Sequence, residues 1–426
     1  MSKILISSLG TGNNRNYRTA DYLIDNKKYT EKYVANVLKK HLQIDKMFII
    51  GTNKSIWEAL YLDNVINPDE SFAEKLYEFT ESSNYSTELN AFDFSELEKA
   101  LDEKIKVFLI KYGLDEKELL FNFDIIMQIE EFLEDGDEIY IDISHSFRSL
   151  SFYSMIILNY LQNISTKNIK INGIYYGMLD VVNELGYAPI VDLNILYEAI
   201  NWIKGAHVFK NYGNSYLLSD LLENNGYNES SKKLRNFSDS LNVMYFKNLK
   251  QQIDILNKNF DVFNNINGIG KYIVPTTLKE FLDRFKKLNF DYEFLLEFAK
   301  WFYENKRYSN TILIIPELIV QYFLEVNNFE NNKDNFDLMK KFLSRESNNL
   351  LNKRYLKAKD YKSDSDYENI IKIYTYFRDR RNNIAHALDD KQDYIETING
   401  LEKKLNTLDK IIKTRKFYIE EYLEKF

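Results

Sequence analysis

The 426-residue chain contains no cysteine. Disulfides, thiolate metal sites and cysteine nucleophiles are thereby excluded. Histidine occurs only four times, which leaves little from which to build a zinc site, so no metal is expected. Four prolines in the whole chain suit long helices. We find no apolar run of about 18 residues, and the opening "MSKILISSLG" is a strand running into a glycine turn, not a signal peptide. The expectation is a cytoplasmic protein without a membrane segment. A basic excess is missing too: 56 Lys and Arg face 64 Asp and Glu, for a net charge of −8 and a pI of about 5.4. Proteins that grip long duplexes carry a basic face, so any nucleic-acid contact is expected to be local and small.

What is present is ample material for burial, 45% hydrophobic and 15% aromatic, as in a globular protein. The length calls for two or three domains. From residue 1 to about 192, β-rich runs alternate with amphipathic stretches. "KILISSLG" (3–10), "KMFIIGT" (46–52), "IKVFLIKYG" (105–113), "EIYIDIS" (138–144) and "IKINGIYYGML" (169–179) read as strands. "YRTADYLIDNKKYTEKYV" reads as an extra hairpin with Asn26 in its turn. Alternation of this kind predicts an α/β, Rossmann-like domain with a mostly parallel, helix-covered sheet. From 193 to 426 apolar residues recur at three/four-residue spacing, which predicts an all-α domain. The last 30 residues are either a capping helix or a dimer-forming one.

In such a sheet, ligands sit beyond the carboxyl ends of the strands at a topological switch point. Three strand ends are rich in small and polar residues: "SLGTGNNRN" (8–16), "GTNKS" (51–55) and "DISHSFRSL" (142–150). Gly10-x-Gly12 is no dinucleotide fingerprint, because Arg15 stands where the third glycine belongs and no acid ends the second strand. A tight turn and a buried His145 are the purely structural alternatives. Together, however, the three loops resemble the DxTHG family of CRISPR-associated CARF sensors. "DISHSFR" stands where that family has D-x-T-H-G-F-R, with Ser144 for threonine and Ser146 for glycine. "KILISSLGTGN", "IIGT" and "IYYGMLD…APIVDL" follow in the family's order, so the resemblance covers about 190 residues. It implies a dimeric CARF domain that binds a cyclic oligoadenylate across its two-fold axis, with no other cofactor. Gly10, Thr11, Gly12, Asn13 and Asn14, then Thr52 and Asn53, then His145, Ser146, Arg148 and Ser149 would line that site, with Thr11, Asn13, His145 and Arg148 foremost.

In the helical half, "ENIIKIYTYFRDRRNNIAHAL" has apolar residues at Ile370, Tyr374, Phe377, Ile384 and Leu388, and Arg381 fills the gap in that stripe. A buried arginine demands a carboxylate from another helix or an anionic ligand. "RNNIAH" resembles the R-x4-6-H signature of HEPN ribonucleases, and a HEPN domain behind a CARF domain is the order found in CARF–HEPN ribonucleases of type III CRISPR systems. The resemblance implies a metal-independent endoribonuclease acting on single-stranded RNA in antiviral defence, switched on allosterically by the cyclic oligoadenylate. Its chemistry suits the residue types. The ribose 2′-OH is the nucleophile and cleavage leaves a 2′,3′-cyclic phosphate. His386 moves protons, Arg381 stabilises the charge growing on phosphorus, and Asn382 orients the phosphate or the histidine. Arg378 and Arg380 are candidates for flanking RNA phosphates, or else a solvated face. His386 follows Arg381 by about 140° of helix, so a composite site needs a bend or a second, facing copy. Two other functions stay open: a sensing dimer whose helical half only docks a partner, and a ring nuclease that cuts its own activator. Arg381 and His386 both locked into carboxylates inside one protomer would contradict the nuclease.

Overall fold

A computed structural model describes residues 1–11, 19–145, 148–351, 365–385, 394–414 and 416–419. The chain forms two compact units, Met1–Glu198 and Ala199–Phe426, each described here by itself.

The first unit is built on eight strands: β1 (Lys3–Ser8), β2 (Ala20–Ile24), β3 (Lys27–Glu31), β4 (Lys46–Gly51), β5 (Ile105–Leu109), β6 (Glu138–Asp142), β7 (Lys170–Gly177) and β8 (Ala188–Asp192). They line up as β3-β2-β8-β7-β6-β1-β4-β5. β7, β6, β1, β4 and β5 run parallel to one another. Five consecutive residues of β1 and of β4 are buried, as expected of strands covered on both faces. The sheet is mostly parallel, as expected, since β2 also pairs parallel with β8; it is mixed because β8 runs antiparallel to β7 and the β2–β3 hairpin adds a further antiparallel pair. That hairpin turns at Asp25 and Asn26, both at positive φ, the two-residue geometry that matches strand twist. β8 is the strand the periodicity does not reveal. It is five residues long and carries Pro189, which breaks the strand pattern.

In the second unit the described residues form helices and no strand. Phe209, Phe237, Phe281, Phe298, Trp301 and Phe302 pack into one aromatic core. Through it runs the Tyr308–Val326 helix. This helix corrects the expectation of no long apolar run, since it is long and apolar enough to cross a membrane by length and composition. Its Ile314, Ile315, Leu318, Ile319, Val320 and Phe323 are fully buried within the unit, which makes it a core helix here. The Tyr394–Thr414 helix buries Leu401, Leu405, Leu408 and Ile411 in the same core.

Candidate functional site

Strand order decides where the three polar loops go. From β1 the chain moves outward through β4 to β5, then crosses back to β6 on the other side of β1. The switch point therefore lies between β1 and β6, and the loops ending β6, β1 and β4 stand side by side at the carboxyl edge.

A buried carboxylate ties these ends together. Asp142 at the end of β6 accepts from Ser7 Oγ of β1 at 2.7 Å, and from Ser144 N and Oγ at 2.9 and 2.5 Å. Ser144 Oγ in turn accepts from Gly177 N of β7 at 2.7 Å. The acid and hydroxyl of "DISH" thus hold three strand ends, and the histidine that follows sits on this frame. His145 Nε2 is enclosed. Burial holds its pKa below the ordinary histidine value, opposed by the nearby Asp142 charge.

The β1 and β4 loops are joined by Ser55, which sequence reasoning passes over. Its hydroxyl donates to Leu9 O at 2.6 Å and accepts from Thr52 N at 3.0 Å. Gly10 O accepts from Ile56 N. Thr52 and Asn53, expected to face a ligand, are 2% and 3% exposed. Thr52 O accepts from Trp57 Nε1, and Asn53 Nδ2 donates to the carbonyls of Thr87 and Glu88. Both are engaged in holding the loop. Gly10, Thr11, Thr52 and Leu150 line a cavity of about 160 Å³, well under the roughly 300 Å³ where ligand pockets begin. Thr11 is exposed and Ser149 half-buried. Gly12, Asn13, Asn14 and Ser146, and the side chain of Arg148, lie outside the described residues.

In the helical unit, the Ser365–Ala385 helix buries Ile370, Tyr374 and Phe377. The apolar stripe then stops. Ile384 is 41% exposed and Arg381 is 36% exposed, so neither belongs to a buried face as the periodicity implies. Arg381 Nη1 donates to Glu317 Oε1 at 2.7 Å, from the Tyr308–Val326 helix. The same oxygen lies 3.3 Å from Lys340 Nζ. The carboxylate from another helix is thus the partner Arg381 has in this form. Arg381 and Glu317 also line a cavity of about 910 Å³, with Lys250, Asp291, Phe294 and Phe336 among its walls. Asn382 is exposed. Arg378 pairs with its neighbour Asp379 at 2.9 Å. Arg380 Nε donates to Thr397 Oγ1 at 3.0 Å. His386 and Leu388 lie outside the described residues.

Residues 4–180 match the family described as CRISPR system endoribonuclease Csx1, CARF domain. Residues 198–293 match the one described as CRISPR-associated protein MJ1674, second domain. The CRISPR-associated protein MJ1674 of Methanocaldococcus jannaschii is 35% identical over 445 residues, which cover 96% of this chain and 66% of that protein. The chain spans just under two thirds of the length of this relative. The solved structure of Enterococcus italicus Csm6 bound to cyclic hexa-2′-fluoro-hexa-dAMP aligns over 100% of this chain and 98% of its own, at 13% identity and a TM-score of 0.35. That likeness is too distant to carry an argument. With a CARF match over residues 4–180 and the MJ1674 match over 96% of its length, the chain belongs to the CRISPR-associated CARF proteins.

Proposed function

We propose that the protein senses a cyclic oligoadenylate on its first unit and, in response, cleaves single-stranded RNA with its second, as an effector of type III CRISPR defence. The sensing half is supported by the switch-point geometry, where the β6, β1 and β4 loops share one edge and the Arg148–Asn163 helix begins directly after β6. A helix start there presents N–H donors to phosphate. A second copy would complete the site. Phe152 and Ile156, one turn apart, are 75% and 45% exposed, and Leu120 on the neighbouring helix is exposed as well. Tyr153 donates to Leu119 O at 2.8 Å and keeps the two helices together. An apolar face of this kind suits a two-fold dimer, whose symmetry fits a ring of even adenosine count.

The observation that carries the nuclease half is Arg381 on a cavity wall, held by a glutamate that already has a second cation. Exchange of Glu317 for a scissile phosphate leaves Glu317 with Lys340 and gives the guanidinium to the substrate. The 2′-oxygen then bonds to phosphorus as its proton passes to a base. The P–O5′ bond breaks, and the leaving oxygen takes up a proton. His386 serves these proton transfers, Arg381 neutralises the equatorial oxygens, and the exposed Asn382 orients the phosphate.

RNA and matching DNA oligonucleotides, incubated in EDTA with and without cyclic tetra- or hexa-adenylate, test this. Activator-dependent cleavage of RNA alone is expected, reduced about 10²-fold or more in His386→Ala, with cyclic-phosphate ends. Glu317→Gln should raise cleavage in the absence of activator. Activator-independent cleavage that survives His386→Ala would overturn the assignment. The Arg381–Glu317 pair itself favours a second reading, in which the helical unit only docks a partner. Tight activator binding with no turnover of any RNA would select it.

A further inference from the structure

The Ser365–Ala385 and Tyr394–Thr414 helices meet at Tyr376, and two cations share its ring. The Arg380 guanidinium carbon stands 3.3 Å from the ring centroid and Lys404 Nζ 4.0 Å from it. Arg380 is fixed by its hydrogen bond to Thr397 Oγ1. Thr397, Gly400 and Lys404 recur at three- and four-residue steps and so share one helix face. Gly400 makes room for this arrangement, since a Cβ there would lie 2.9 Å from Lys404 Nζ.

Charge compensation separates this pair from its neighbours. Arg378 has Asp379 and Arg381 has Glu317. Among the described residues, no carboxylate comes within 4.0 Å of Arg380 or Lys404. Glu396 acts on Lys404 only at longer range, and burial together with the Arg380 charge pushes the Lys404 pKa down. The Tyr376 hydroxyl is buried with no hydrogen-bond partner among the described residues. Two like charges gathered on one ring are stabilised by an anion placed between them.

We propose that Arg380, Lys404 and Thr397, arranged around Tyr376, form a phosphate site that holds the RNA backbone next to the phosphate at Arg381. The choice of RNA as the anion rests on the nuclease reading; the charge imbalance does not. Consecutive on one helix, Arg380 and Arg381 take different partners, Thr397 and Glu317, so each can grip a different phosphate of one strand. A single such site agrees with the small footprint that a net charge of −8 implies.

Binding of fluorescent 2′-O-methyl RNA to the full chain, followed by anisotropy over a range of salt, tests the site without requiring turnover. Lys404→Gln should weaken binding about fivefold and lower the log–log salt slope by about 0.7, the loss of one single-strand phosphate contact. Lys404→Arg should restore both, and Lys403→Gln, an exposed neighbouring charge, should leave both unchanged. Melting curves of each variant report folding. Wild-type affinity and slope in Lys404→Gln would overturn the site. So would an equal loss in Lys403→Gln, or no binding of this RNA by the wild type. Cleavage assays failing while the binding pattern holds would sink the nuclease reading alone.

Discussion

At the scale of single residues, the two sites treat their ionisable groups in opposite ways. His145 is enclosed and its proton affinity is lowered by burial, against the pull of Asp142. Its folded pKa thus lies below the unfolded value of about 6.5, and the unfolded chain binds the extra proton as pH falls. The stability associated with neutral His145 is complete above that value and is lost as pH drops through the folded pKa. The melting temperature of the wild type should therefore fall more steeply between about pH 7.5 and 5.5 than that of His145→Asn. Parallel curves would show that the imidazole titrates as freely folded as unfolded. Arg381, by contrast, is paired with a carboxylate. An unmatched cation on the helix is legible in the sequence, but the identity of its partner is not. Glu317 lies 64 residues away on a helix whose pattern is that of a core element.

At the scale of elements, local chemistry was legible wherever it is set by near neighbours. The Asp25–Asn26 turn and the five main strands follow from residue type and alternation. β8 escapes because Pro189 breaks the pattern and its partners, β7 and β2, are supplied by other parts of the chain. The loop after β4 shows how an element and a site depend on each other. Gly51 ends the strand, and a Cβ there would lie 2.5 Å from the ring of Trp57, which is fully buried and holds Thr52 O. Gly51→Ala should cost about 1–3 kcal/mol through overpacking, or about 2–4 °C of melting temperature per kcal/mol for a unit of this size. It should also weaken cyclic-oligoadenylate binding, because the Thr52 loop must shift. Unaltered melting and unaltered binding would mean that the Trp57 contact does not position this loop.

At the scale of the whole molecule, the proposed sensing site asks for a second copy. Phe152→Asp combined with Ile156→Asp should turn a dimer into a monomer in light scattering and abolish activator-dependent cleavage. A dimer that persists in the double variant would place the interface elsewhere. Composition and periodicity alone determined that this is a cysteine-free, acidic, two-part chain, α/β then α. They also determined that polar loops end β1, β4 and β6 and that Arg381 interrupts the apolar spacing of its helix. Those properties depend on residues a few positions apart, where backbone geometry governs which side chains share a face. Only the tertiary structure decided that Thr52 and Asn53 turn inward, that Ser55 and Asp142 hold the loops together, and that Lys404 joins Arg380 on Tyr376. Each of those outcomes is a choice of partner across the packed interior of one unit. Strand order and helix packing make that choice, because a buried polar group must be matched by whatever the fold brings within about 3 Å of it.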